Sequence, residues 1–229
     1  YNFFLSLTAQ FLSHHTPAMP SCAGLLPHLH YFAPAAEHGY PAVALTDLMN
    51  TFGLLKFYKA CRKAGVKPIL GAEVRIVNPR QPAQPFRALL LIRNHSGYVR
   101  LGELLTLAHT DEHRNLIAPQ LQEEWLSEGD NLGLICLSGA QWGEVGQALL
   151  AGHEEQALQA AQKYAAWFEQ AFYLEVQRLP DKPEWETVVA GSVRLAEQLD
   201  LPVVATHATQ FLQREDFTAH DARVCIAGG

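Results

Sequence analysis

The chain has 229 residues, 48% hydrophobic and 17% charged, with a net charge of −6 from 17 basic and 23 acidic residues. That composition belongs to a soluble globular protein long enough for one large α/β domain or two small ones. A net negative surface argues against gripping nucleic acid as a whole-molecule property, so DNA is expected only through a partner or a further domain.

The opening "YNFFLSLTAQFL" is apolar but has no basic leader, which disfavours a signal peptide, and no apolar run reaches the length of a membrane span. "AVALT" (42–46) reads as a buried strand running into Asp47. "TFGLLKFYKACRKAG" places Leu54, Leu55, Tyr58 and Cys61 at helical spacing, with Gly65 as its stop. Strands follow over "KPILGAEVRIV" and "PFRALLLIRN", and a helix over "HSGYVRLGELLTLAHT". "NLGLICLSG" is a strand. "WGEVGQALLAG" and "EEQALQAAQKYAAWFEQ" are two helices parted at Gly152. "AFYLEVQRL" is a strand, "PEWETVVAGSVRLAEQLD" a helix opened by Pro183, and "LPVVATHATQFL" the last strand.

This alternation predicts one parallel α/β domain, closed into a barrel or wound open, with function at the C-terminal ends of its strands. Asp47, Glu73, the segment from Cys136 to Ala140, Glu175 and His207 all fall at or near such ends. They fit two descriptions: a metal-dependent hydrolase whose Asp, Glu and His hold divalent ions that activate water, or polar residues that cap helices and satisfy loops. The four cysteines, Cys22, Cys61, Cys136 and Cys225, form no Cys-x-x-Cys pair, so a zinc ribbon is disfavoured and reduced thiols in a cytoplasmic protein are expected. Neither a phosphate-binding G-x-x-x-x-G-K-[ST] loop nor a G-x-S-x-G elbow is present.

The segment "GYPAVALTDLMNTFGLLKFYKACRKAGVKPILGAEV" closely resembles the PHP (polymerase and histidinol phosphatase) domain found at the N-terminus of bacterial DNA polymerase III α subunits. Further matching segments are "NHSGYVRLGELLTLA", "GLICLSGAQWGEVGQALL", "FYLEVQR", "LPVVATHATQFL" and "DFTAHDARVCIAGG". The resemblance runs from about Glu37 to Gly229 and implies a distorted seven-stranded β/α barrel, here a fragment of a longer polymerase chain. Active members bind up to three metal ions through His, Asp, Glu and Cys. Of that ligand set the resemblance implies Asp47 and Glu73 here, with His207 and His14 as residual positions. The His expected after Asp47 is Leu48, the expected Cys is Ala140, and the Asp and His of the last motif are Ala208 and Gln210. Leu and Ala cannot bind a metal, and clustered cations need several carboxylates.

The resemblance therefore implies a degenerate, non-catalytic domain that needs no cofactor. It would stabilise the rest of the polymerase chain and dock a separate proofreading exonuclease subunit, in replication or translesion synthesis. The alternative is an active phosphoesterase, a 3'-5' exonuclease or a histidinol-phosphatase-like enzyme using Zn, Mn or Mg.

Residues 1–36 form an atypical segment ahead of the PHP-like region of residues 37–229. The family's first metal motif belongs there, yet the chain reads "SHHTPAMPSCAGLLPHLHYFAPAAEHG", with Pro34 where a helix is expected. Reading the codons one base earlier permits "His-Ser-Gly-Tyr-Ala-Leu-Leu-Arg-Gly", the family motif in outline, and the coding DNA decides whether the frame has shifted. In the frame as it stands, at most one of His14 and His15 could serve one metal, because adjacent side chains of a strand diverge. A solvated loop is the other reading.

Overall fold

A computed structural model of the chain describes residues 10–11, 41–110, 118–179, 181–206 and 208–209, with residues 218, 221, 222 and 225 beyond them. Its elements are β1 (Gln10–Phe11), β2 (Ala42–Leu45), α1 (Leu54–Ala64), β3 (Lys67–Ile76), β4 (Phe86–Ile92), α2 (His95–His109) and α3 (Glu123–Ser127). They continue with β5 (Leu134–Leu137), a 3-10 turn at Ala140–Trp142, α4 (Glu144–Leu150), α5 (Glu154–Trp167), β6 (Phe172–Val176), α6 (Trp185–Leu199), β7 (Val203–Ala205) and β8 (Ala208–Thr209). Each strand and helix expected from the periodicity is present. The short α3 and the 3-10 turn were not expected, and the last strand is broken into β7 and β8.

The strand order is β7-β6-β5-β4-β3-β2-β1-β8. Laid flat, eight strands at about 4.8 Å spacing would hold the two end strands roughly 30 Å apart. Yet Ala205 and Ala208 are three residues apart in sequence, a reach of at most about 10 Å. The sheet must therefore curl until its ends meet. The segment 203–209 bonds β6 with its first half and β1 with its second. Counted as one broken strand, it completes a distorted seven-stranded β/α barrel.

The expectation of an all-parallel sheet is corrected in one place: β4 runs antiparallel to both β3 and β5, while the other pairings are parallel. The nine residues between β3 and β4 are too few for a parallel crossover, which needs a dozen or more.

Alternation along the strands sorts side chains into two cores. Ala72, Val74 and Ile76 of β3, Ala88 and Leu90 of β4, Leu134 and Cys136 of β5, and Phe172 and Leu174 of β6 face outward. They join α2, α4, α5 and α6 in the larger cluster. Leu89, Leu91, Leu137 and Val204, flanked by Ile69, Ile135 and Tyr173, fill the barrel. A third cluster seats α1 through Phe57 and Cys61 on Val43 and Leu45 of β2. This corrects the face expected for α1: Leu55 and Tyr58 point to solvent. Gly65 ends the helix in the left-handed region, φ 73°, as expected.

Candidate site at the barrel mouth

Above the apolar filling, the inward positions of the strands turn polar. Glu73 and Arg75 continue the inward parity of Ile69 on β3, and Glu175 continues that of Tyr173 on β6. Because β4 is reversed, its first residues lie at the same end, with Arg87 directly opposite Arg75. Asp47 leaves β2 beside Glu73. The Glu73 amide donates to the Asp47 carbonyl at 3.2 Å, and the Met49 amide donates to the Glu73 carbonyl at 2.8 Å. Asp47, Glu73 and Glu175 are all buried.

Two polar clusters result. In the first, Arg87 Nη1 donates to Glu73 Oε1 at 3.0 Å, an ion pair with little exposure on either side chain. The indole of Trp142, on the 3-10 turn, lies 5.5 Å from the Arg87 guanidinium carbon. Two guanidiniums face each other across β3 and β4. Burial, then the charge of Arg87, hold the Arg75 guanidinium below its ordinary pKa, and Glu73 opposes them.

In the second, Glu175 Oε1 accepts from Thr206 Oγ1 at 2.5 Å and from Gln177 Nε2 at 3.3 Å. Its Oε2 accepts from the Gly139 amide at 3.1 Å. Gln177 Nε2 also donates to Thr206 Oγ1 at 2.9 Å, Gln141 Nε2 donates to Gln177 Oε1 at 3.2 Å, and Ser138 Oγ accepts from the Glu175 amide at 2.9 Å.

Burial pushes the Glu175 carboxyl above its ordinary value of 4.5, with Glu73 adding to the rise, while the hydrogen bonds from Thr206, Gln177 and Gly139 pull it down. A raised carboxyl binds its proton more tightly in the folded state. The stability this confers is complete below the ordinary glutamate range and is lost as pH rises through the folded value. Glu175→Gln is therefore expected to be more stable than the parent in urea unfolding near neutral pH, with the gap narrowing as the pH falls through the raised folded value and closed below the ordinary glutamate range, about 4.3. A gap that is constant with pH would show that Glu175 is not the titrating group.

Of the residues expected from sequence, Asp47, Glu73 and Glu175 come together at this mouth. Leu48 sits in a parallel bridge with Glu73, and Ala140 opens the 3-10 turn. Cys136 is corrected: it shares outward parity with Leu134, packs in the outer core, and its thiol is pushed well above the ordinary value by burial and then by Glu175. Facing the outer core rather than the barrel interior, it is a core side chain. His14, His207 and Gln210 lie outside the described residues, as does all of the atypical N-terminal stretch except Gln10 and Phe11. Among the described residues, no group of three or more His, Cys, Asp and Glu is placed to hold a metal ion.

Sequence reasoning passed over Arg75, Arg87, Gln141, Gln177 and Thr206. The available signal was parity: Arg87 is a lone charge in a buried run, two positions from inward Leu89, and Gln177 is two positions from Glu175.

A mouth of converging polar side chains on a seven-stranded β/α barrel defines a class, and comparison with known proteins agrees. The PHP domain model matches residues 13–179, and the chain belongs to the PHP domain family. Its relatives include proteins named DNA polymerase III subunit alpha. The one from Neisseria meningitidis serogroup A is 64% identical over 197 residues, covering 86% of this chain and 17% of the relative. Those from Pseudomonas fluorescens and Escherichia coli K12 are 42% and 37% identical over 83% and 85% of the chain. The chain thus spans about one sixth of the length of these relatives. Among solved structures, a phosphoesterase described as metal-dependent, from Bifidobacterium adolescentis, matches with a TM-score of 0.51 at 11% identity, covering 86% of this chain and 90% of that one. At that identity the match speaks for the fold alone.

Proposed function

We propose that this chain is the PHP segment of a DNA polymerase III α-type protein, replicative or error-prone, whose ancestral metal site has become a structural polar core. In this reading the domain braces the remainder of the polymerase chain and docks a separate proofreading exonuclease subunit, in the cytoplasm. The observation that carries it is the Arg87–Glu73 ion pair.

A divalent ion at this mouth would need the Glu73 carboxylate, and a guanidinium already lies on it. Glu175 is enclosed by donors from Thr206, Gln177 and Gly139, which already occupy its carboxyl oxygens. Leu48 and Ala140 bring no donor atoms to the positions where the family resemblance places ligands. Among the described residues the donor set does not fit a two- or three-metal centre, which requires several ionised carboxylates to offset its charge. A fixed arginine supplies one positive charge permanently and leaves no open coordination position to activate water.

The expected result is that the purified chain, given Zn2+ or Mn2+, does not hydrolyse p-nitrophenyl phosphate, histidinol phosphate or a 3'-end-labelled oligonucleotide above the metal-only rate. Hydrolysis that disappears in Asp47→Ala would overturn the proposal and favour an active phosphoesterase.

A further inference from the structure

The charge of this chain is unevenly distributed. Between Asp47 and Glu73 there is no acidic residue, and the interval carries Lys56, Lys59, Arg62, Lys63 and Lys67. Five of the 17 basic residues therefore lie on or beside one helix, while the remaining 12 share the chain with all 23 acidic ones. All five are exposed, and none makes an ion pair among the described residues.

The spacing on α1 separates three stripes. Leu54, Phe57, Cys61 and Ala64 turn toward the barrel. Lys56, Lys59 and Lys63 form a basic stripe on the outside. Between them Leu55, Tyr58 and Arg62 form a mixed stripe that begins with Phe52 just ahead of the helix. Phe52 is 84%, Leu55 60% and Tyr58 42% exposed, and Phe52 is the most exposed large apolar side chain among the described residues.

We infer that the outer face of α1 is a binding site for single-stranded nucleic acid. Exposed aromatic rings interleaved with cations match the way a single strand is held: bases stack on the rings while ammonium groups track the phosphates. A duplex hides its base faces and would leave Phe52 and Tyr58 unused. An acidic protein partner suits the face less well, because four of the five cations are lysines, which are depleted from protein interface cores. Among the described residues the five cations have no ion pair to break on receiving phosphates, and the acidic remainder of the chain repels a polyanion, which directs it to this face. Chain-wide net charge, which disfavours nucleic-acid binding, averages over this segregation.

The test is fluorescence anisotropy of a labelled 20-mer oligothymidylate with the 229-residue chain at low salt. Saturable binding is expected, weakening about sevenfold per doubling of salt if roughly four phosphates are engaged. Lys56→Glu/Lys59→Glu/Lys63→Glu is expected to lose binding at least tenfold and to flatten the salt slope. Phe52→Ala/Tyr58→Ala is expected to lose at least fivefold with the slope kept, since stacking carries no charge. Lys182→Glu, exposed and in the loop ahead of α6 rather than on α1, should bind as the parent does. Thermal melting confirms that each variant is folded, and Gln replacements stand in for Glu if charge reversal prevents folding. Absence of binding at low salt, or unchanged binding in the lysine variant, would overturn the inference. So would tight binding of an acidic amphipathic peptide by a chain that ignores the oligonucleotide, which would assign the face to a protein partner.

Discussion

Arg87→Ala is expected to destabilise the chain by about 2–3 kcal/mol, somewhat below the 3–5 typical when one member of a fully buried pair is removed, because both side chains keep slight solvent access. The cost has three sources. Glu73 is left buried at 8% exposure without its guanidinium. Trp142 loses a cation over its ring, worth about 0.5–1 kcal/mol at an exposed site. Relief of the repulsion between Arg87 and Arg75 offsets part of the loss.

Adding Glu73→Gln to Arg87→Ala removes the stranded charge. The double variant is therefore expected to lie at least about 1 kcal/mol above the sum of the two single changes in a urea-unfolding cycle. Strict additivity would mean that the pair does not hold the barrel mouth together.

A second large effect is expected far from the mouth. Gly133, ahead of β5, and Gly97, in the first turn of α2, touch backbone to backbone. A Cβ on Gly133 would lie 2.1 Å from the Gly97 nitrogen and 2.6 Å from Asn94 Oδ1. Asn94 Oδ1 is the cap of α2, accepting from the Gly97 amide at 3.0 Å. Gly133→Ala therefore overpacks a backbone contact and dislodges a cap together. Overpacking costs typically 1–3 kcal/mol and a lost cap about 1, so about 2–4 in all is expected, a fall of roughly 10 °C in melting temperature.

Gly102→Ala in the same helix is the counterpart. Nothing lies within 4 Å of its Cβ position, and the site is exposed mid-helix. It should stabilise by about 0.5–1 kcal/mol. The same substitution with opposite signs, at Gly133 and at Gly102, separates backbone contact from helix propensity. A neutral result at Gly133 would mean that α2 does not approach β5 this closely.

Much of the barrel was legible because period decides element type. Runs such as "RALLLI" and "FYLEV" alternate or stay apolar over strand length, and α1 and α6 carry helical spacing closed by Gly65 and Asp200 in the left-handed region. The reversed β4 was legible too, since nine connecting residues cannot make a parallel crossover, but alternation of strands with helices masked it. The broken last strand was not legible: only closure of the ring explains why Val203–Ala205 and Ala208–Thr209 pair with strands at opposite ends of the order.

At the site, strand-end position found Asp47, Glu73 and Glu175, which chemistry also singles out. It left the facing of Cys136 open, because nearness to a strand end does not fix which side of the sheet a residue faces. It passed over Arg87 because a reversed strand brings its beginning, not its end, to the mouth. On α1, apolar spacing suggested Leu55 and Tyr58 as inward, yet Phe57 and Cys61 are the pair that meets Val43 and Leu45. Two overlapping apolar stripes on one helix cannot be ranked from spacing alone.

In the proposed function an arginine, rather than a metal, balances the carboxylates of the barrel mouth. Elemental analysis of the chain after dialysis against Zn2+ or Mn2+, paired with melting curves across a metal titration, tests it most directly. Far less than one ion per chain and a melting temperature indifferent to metal are expected, since a ligand stabilises only what it binds. One or more ions held per chain, with a melting temperature that climbs with metal concentration and an Asp47→Ala variant that loses both, would contradict it.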